Sequence, residues 1–397
     1  MTEYNEEWVM SRRNPNHGLA PLKRVLGAIG DPQDALHTIH IAGTNGKGSV
    51  TNDLKEILKA HGYKVGMFTS PHLVSHRDRI RINDNWISEE EFQKYLDAYL
   101  DAILREDLGM FEIDCLIAFA WFKDQKVDYA LIECGLGGRL DNTNVIAHPE
   151  LAVVTTVAYD HMNILGSRLP QIAFEKAGII QKRTVCLVGA LPQKVLPVFM
   201  HRAERMQASL VQCPPFYSHG PRRLYFDHDE YELSSLAEYQ KYNAALALEG
   251  AKLLGIDIHT DLTKQALYNA HWAGRFEIVN RKPLIILDGA HNEEGMHALI
   301  ASMKQLPHPI TAVFSALRDK PGQAMAQMLK ENCDRLIITQ FAGTRADSLH
   351  HLMIDGSEAE MTWQDAIEKA KRETAPEGSI VITGSLYFIS LARKYLM

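Results

Sequence analysis

The chain has 397 residues, 46% of them hydrophobic and 23% charged, with a formal net charge of −7. That length predicts two domains rather than one core. The acidic balance argues against nucleic acid or an anionic membrane as the main partner, and no run approaches the roughly 18 apolar residues a membrane helix needs. Five cysteines (Cys115, Cys134, Cys186, Cys213, Cys333) contain no C-x-x-C pair, which excludes a zinc knuckle and suits a reducing cytoplasm. The opening "MTEYNEEWVMSRRNPNHG" is too polar for a signal peptide.

The first predicted strand, "HTIHIAG", runs into "GTNGKGS", Gly43 to Ser49. The common phosphate loop is G-x-x-x-x-G-K-[S/T]. Here Gly43 stands three residues before Gly46, Gly48 follows Lys47, and Ser49 comes one place late. A helix beginning near Lys47 would turn its backbone N–H groups toward an anion, with Lys47 adding charge. A turn that merely needs glycines is the plainer reading.

A second strand, "KVGMFTS", leads into "FTSPHLVSHRDRIRIN". Ser70-Pro71 is a constrained turn open to a cis bond. His72, His76, Arg77, Arg79 and Arg81 form a basic cluster in an acidic chain, suited to carboxylates or phosphates; a solvated basic loop competes with that reading. Ser88 and Glu91 read as a capping box opening the helix "ISEEEFQKYLDAYLDAIL". The next strand, "DYALIECG", ends at Glu133, where a carboxylate is costly without a cation. The following "GLGGRLD" has the wrong glycine spacing for a dinucleotide fingerprint.

Asp160-His161 follows the strand "LAVVTTVA". Ser70, Glu133 and His161 thus stand at three strand ends, and with phosphate oxygens and water they can hold a divalent cation such as Mg²⁺. Lys176 lies in "QIAFEKAGII", before the strand "TVCLVG". A hairpin is predicted around "FDHDEYEL", then the helix "AEYQKYNAALALEGAKLLG". Gly274 interrupts a helical pattern, which places a domain boundary at residues 271 to 276 and predicts domains 1–271 and 276–397. Beyond it "LIILDG", "ITAVFSAL", "RLIITQF" and "SIVITGS" read as strands. Arg275 sits at the junction, and Asp288 and His291 occupy the strand-to-helix turn "DGAHN". Alternation of this kind predicts an α/β fold with a mostly parallel sheet, ligands binding beyond the carboxyl ends of its strands. No G-x-S-x-G elbow or Cys/His pair points to an enzymic nucleophile.

Taken in order, "GTNGKGS", "TSPH", "ECGLGGRLDNTN", "DH…LG", "EKAGI", "GRFE" and "DGAHN" resemble the folylpolyglutamate synthase/dihydrofolate synthase family of the Mur-ligase superfamily, from about His17 to Tyr387. The "GKGS" ending sets the chain apart from cell-wall ligases, which usually have "GK[ST]T". The resemblance implies a large P-loop-type ATPase domain and a smaller C-terminal Rossmann-like domain with the active site in the cleft between them. The implied reaction is ATP-driven amide formation. ATP phosphorylates a folate carboxylate, and the amine of L-glutamate attacks the acyl phosphate.

By resemblance, Gly43, Thr44, Asn45, Gly46, Lys47, Gly48 and Ser49 cradle the phosphates of ATP, while Asn243, Arg275, Asp288 and His291 contact the nucleotide. Ser49, Ser70, Glu133, His161 and a carbamylated Lys176 match positions that hold two Mg²⁺ ions. Lys47, His161, Lys176 and Arg275 carry the catalytic expectation, and Arg77 and Asp141 lie in segments resembling folate-contacting loops. The favoured activity is polyglutamylation of a reduced folate. Dihydrofolate synthesis from dihydropteroate, or both activities in one enzyme, is the near alternative. A Mur-type cell-wall precursor ligase and a non-enzymatic nucleotide switch are more distant ones. A cytoplasmic monomer acting on small molecules completes the expectation.

Overall fold

In a computed structural model, residues 4–13 and 18–397 are described, and His17, where the family resemblance begins, lies outside them. The chain divides into two compact units. One comprises Met1–Phe216, Phe226–Tyr231 and Tyr242–Ala270, the other Tyr217–Tyr225, Glu232–Lys241 and His271–Met397. Among the described residues no helix is long and apolar enough to cross a membrane.

The first unit is built on eight strands: Thr38–Ala42 (β1), Val65–Phe68 (β2), Ile80–Ile82 (β3), Asn85–Trp86 (β4), Tyr129–Glu133 (β5), Leu151–Val154 (β6), Val185–Val188 (β7) and Ser209–Gln212 (β8). Their order is β4-β3-β2-β5-β1-β6-β7-β8. From β2 to β8 every neighbouring pair is parallel, and β3 and β4 add an antiparallel edge. Strands β1, β2 and β6 are buried along their whole lengths. This is why their sequences are nearly unbroken apolar runs rather than alternating ones.

Ser88 Oγ accepts the Glu91 N–H at 3.0 Å, capping the helix Glu89–Arg105 at its expected start. The helix Met110–Asp124 is buried continuously from Phe111 to Phe122 and packs into a core with Phe68, Phe92 and Ile132.

Three short strands follow: Tyr217–Ser218 (β9), Arg223–Phe226 (β10) and Asp229–Glu232 (β11). β9 and β10 pair antiparallel, with Leu224 opposite Ser218. The second unit carries Glu277–Arg281 (β12), Leu284–Asp288 (β13), Ile310–Phe314 (β14), Arg335–Ile338 (β15), Glu358–Ala359 (β16) and Ser379–Thr383 (β17), in the order β12-β13-β17-β14-β15-β16. Only β12 is antiparallel to its neighbour. The α/β class with a large parallel-rich sheet and a second, smaller one is the expected architecture.

Four adjacent central strands of the first unit, β2, β5, β1 and β6, matter most for function. Phe68 lies opposite Ile132, Ile41 opposite Glu133, and Ala42 opposite Val154. The loops beginning at residues 69, 134, 43 and 155 therefore leave from one edge of the sheet.

Candidate active site

The turn from β1 into the helix Lys47–Ala60 is shaped by its glycines. Gly43 and Gly46 have φ of +155° and +87°, backbone that favours glycine. A Cβ on Gly43 would lie 1.8 Å from Thr155 Oγ1, and one on Gly46 2.5 Å from Asn243 Oδ1. The end of β6 grips this turn closely. Thr44 N donates to the Thr156 carbonyl at 2.9 Å and Asn45 N to Thr156 Oγ1 at 3.0 Å. Thr155 Oγ1 donates to the Asn45 carbonyl at 2.6 Å, and Ala158 N to Thr44 Oγ1 at 3.0 Å. The "TT" of the β6 segment thus supports the loop, a role that sequence reasoning missed although a hydroxyl pair beyond a buried strand was in view.

Lys47 is folded back over this turn. Its Nζ donates to the carbonyls of Gly43 (3.2 Å) and Thr44 (3.4 Å) and lies 4.0 Å from Glu133 Oε1. Glu133 is buried at the end of β5, and the cation that its burial demanded is Lys47. Ser49 is 1% exposed, and its hydroxyl has no hydrogen-bond partner among the described residues.

His161 has φ +47° at the head of the short helix Met162–Leu165, and Asp160 Oδ1 accepts its backbone N–H at 2.8 Å. Lys176 is buried at 2% exposure. Burial, and then the charge of Lys47, push its amine down to about 7, so a large share of it is neutral near neutral pH. The segment carrying it is tied to the "GLGGR" loop: Arg139 N donates to the Glu175 carbonyl at 2.7 Å, and the Arg139 guanidinium pairs with the Glu175 carboxylate at 2.9 Å.

Among the described residues no three His, Cys, Asp or Glu side chains converge as a metal cage. The residues expected to hold a cation are instead Ser49, whose buried hydroxyl is unbonded among the described residues, the buried carboxylate Glu133, Ser70 and His161. Sparse, mostly oxygen sets of this kind suit Mg²⁺, which usually takes one or two carboxylates and completes its octahedron with phosphate and water.

The Ser70-Pro71 bond is cis. Beyond it the basic cluster divides. Arg77 is committed locally, its Nε donating to Glu6 Oε2 at 3.0 Å and its Nη1 to the Ile87 carbonyl at 3.2 Å. Arg79 is buried, and its Nε donates to His72 Nδ1 at 3.4 Å. Among the described residues its Nη atoms have no hydrogen-bond partner. Burial, then the charge of Arg79, push His72 down to about 4, which keeps Nδ1 an acceptor. Asp141 is likewise buried, accepting from Leu136 N (2.7 Å), Thr143 N (3.0 Å) and Thr143 Oγ1 (2.5 Å). It shapes the "GLGGRLDNTN" loop from within.

In the second unit, Asp288 ends β13 fully enclosed. Its carboxylate accepts from Phe276 N and Ala290 N, each at 2.9 Å, and from the Tyr239 hydroxyl. These bonds hold the segment of Arg275 against the "DGAHN" turn; a Cβ on Gly289 would lie 2.4 Å from Arg275 Nη1. His291 Nδ1 donates to the Gly289 carbonyl at 2.8 Å. Asn292 caps the helix Glu293–Met303. Asn243, in the helix Glu238–Leu253, packs on Gly46 in the first unit.

Comparison with known proteins agrees with this arrangement. The Mur ligase middle domain matches residues 41–212, and the Mur ligase, glutamate ligase domain matches residues 274–386. FolC of E. coli, solved in complex with DHPP and ADP, superposes with a TM-score of 0.91 at 27% identity, covering 98% of this chain and 96% of that one. A bifunctional folylpolyglutamate synthase/dihydrofolate synthase solved with Mn, AMPPNP and L-glutamate bound gives a TM-score of 0.88 at 28% identity, covering 98% and 97%. The dihydrofolate synthase/folylpolyglutamate synthase of Bacillus subtilis (strain 168) is 36% identical over 96% of this chain and 95% of its own length. Likeness at that level across nearly the whole of both chains means that the protein belongs to the dihydrofolate synthase/folylpolyglutamate synthase family.

Proposed function

We propose that the chain is an ATP-dependent ligase that joins L-glutamate to a folate, extending the glutamate tail of a reduced folate, with glutamylation of dihydropteroate as a second activity. The observation that carries this reading is the cradle: a glycine-lined turn, Lys47 held 4.0 Å from buried Glu133, and a buried Lys176 with a depressed amine. Relatives of the same fold bind ADP, DHPP, Mn, AMPPNP and L-glutamate, which together match the substrates and metal this reaction needs.

In this reading Gly43 to Ser49 hold the phosphates of ATP, with Lys47 released from its carbonyl contacts to meet the terminal ones. Asn243, Arg275, Asp288 and His291 serve the nucleotide, Asp288 by holding the Arg275 and His291 segments in place. Arg77 and Asp141 serve the folate side by holding the shape of the loops that carry them, and Arg79 joins them there. Ser49, Ser70, Glu133, His161 and a carbamylated Lys176 would hold Mg²⁺, which when bound offsets charge on the transferred phosphoryl group. The chain's own work is placement: phosphoryl passes from ATP to the folate carboxylate, and the glutamate amine displaces it from the acyl phosphate. Functional domains of 1–271 and 276–397, a monomeric state and a cytoplasmic location belong to the same proposal.

The test is ADP release by the purified protein with ATP, Mg²⁺ and L-glutamate, supplied with either tetrahydrofolate or dihydropteroate. Release that requires both glutamate and a pterin substrate is expected, with a glutamylated product by mass spectrometry. Turnover of both substrates identifies a bifunctional enzyme. Release with a UDP-sugar peptide but with neither pterin would move the chain to the cell-wall ligases, and ATP binding without turnover would make it a nucleotide switch.

A further inference from the structure

One buried carboxylate is unused by the chemistry above. Asp114 lies in the helix Met110–Asp124, where every residue from Phe111 to Phe122 is buried, and its side chain is 0% exposed. Both of its oxygens turn toward the loop after β2. Oδ1 accepts from His76 Nε2 at 2.9 Å. Oδ2 lies 3.8 Å from Arg79 Nε and makes no hydrogen bond. The loop's own shape has another source, since Asp78 Oδ2 accepts the N–H groups of Leu73 (2.9 Å), Val74 (2.7 Å) and Ser75 (3.3 Å).

Stability gives little reason for this arrangement, because a buried ion pair is often no better than apolar residues of the same volume. Its geometric effect is specific. Arg79 Nε is turned to Asp114 and His72, leaving the Nη edge as the end without a partner among the described residues. That edge can meet a planar carboxylate in bidentate fashion. The Arg79 carbonyl also accepts the Thr69 N–H at 2.9 Å, so fixing Arg79 fixes the residue before Ser70.

We propose that Asp114, with His76, is a positioning residue that aims Arg79 at a carboxylate of the pterin substrate and so sets the affinity for that substrate. The inference rests on the folate-ligase reading. Its test compares the full-length wild type with D114N, which keeps the hydrogen-bond acceptor but removes the charge, and with H76F/D114L, which replaces the pair by apolar volume. Both variants are expected to raise KM for the pterin substrate about tenfold, the scale of one charge-assisted contact. KM for ATP and kcat at saturation should stay within about twofold. An unchanged pterin KM in folded variants overturns the proposal. So does a parallel rise in the ATP and pterin KM values, or failure of both variants to fold, which would make Asp114 a stability residue. Absence of turnover by the wild type would count against the folate-ligase reading alone. Calorimetric titration of wild type and D114N with pteroylglutamate then decides the matter, and equal affinities refute the positioning role.

Discussion

Lys176 carries an amine in a place where a charged one is costly. With its pKa brought down from 10.5 to about 7 by burial and by Lys47, it sheds its proton as the pH rises through neutrality, and only the neutral amine is nucleophilic. Its nitrogen can then attack the carbon of CO₂, forming an N–C bond and releasing a proton, which turns a cationic side chain into an anionic oxygen ligand. After equilibration with ¹³C-bicarbonate we expect a carbamate resonance by NMR, stronger at pH 8 than at pH 6 and missing in Lys176→Ala. Its absence at both pH values would leave Lys176 acting as an amine. Ser49 poses the opposite case, a buried hydroxyl with no hydrogen bond among the described residues. Removing such a group leaves no partner unsatisfied, so Ser49→Ala should melt within about 2 °C of the wild type. A role toward Mg²⁺ predicts that the extra stability conferred by Mg²⁺ and ATP shrinks in the variant. A ligand-induced shift equal to that of the wild type would remove Ser49 from the metal set.

Elements differed in how plainly their sequences announced them, and the differences have physical causes. The parallel strands β1, β2, β5 and β6 are buried on both faces, so short apolar runs ending in glycine, threonine or glutamate marked them directly. The same burial hid the helix Met110–Asp124. With nearly every position covered, "MFEIDCLIAFAWFKD" has no polar face and therefore no helical period to detect. β3 was concealed by charge: Ile80-Arg81-Ile82 alternates as a strand with one better-covered face should, yet in sequence it reads as part of a basic loop. The site was legible to the extent that its residues close strands or open helices, as Lys47, Glu133 and Asp288 do. Contacts such as Thr156 with Asn45, Tyr239 with Asp288, and Asp114 with His76 join segments 111, 49 and 38 residues apart. Local pattern holds no trace of such pairings. The commitment of Arg77 to Glu6, and the burial of Arg79 two residues later, were equally invisible in a run of similar charges.

At the scale of the whole molecule, the second unit is not one continuous piece of chain. Residues 232–241 belong with it although they precede His271 by a long interval. Ala237 is fully buried in its core beside Met296, Leu299 and Phe314, with Leu236 and Tyr239 packed against the same cluster. The Glu238 N–H donates to Ser302 Oγ at 3.1 Å, Gln305 donates to the Leu236 carbonyl, and the Tyr239 hydroxyl donates to Asp288. A fragment of residues 271–397 would therefore expose part of its core and leave the Asp288 turn short of one donor. Burial of even a few apolar side chains is worth several kcal/mol, at about 1.5–3 kcal/mol for each one fully covered, a sizeable part of a small domain's total stability. We expect residues 271–397 alone to melt broadly and early by circular dichroism. Residues 232–241 joined ahead of them through a flexible Gly/Ser linker of about 15 residues should restore a cooperative transition at higher temperature. Tyr239→Phe within the linked form should give back part of that gain, since it keeps the ring and removes only the bond to Asp288. Identical melting with and without the 232–241 segment would show that the second unit folds from 271–397 by itself and that the Tyr239–Asp288 bond adds nothing to its stability.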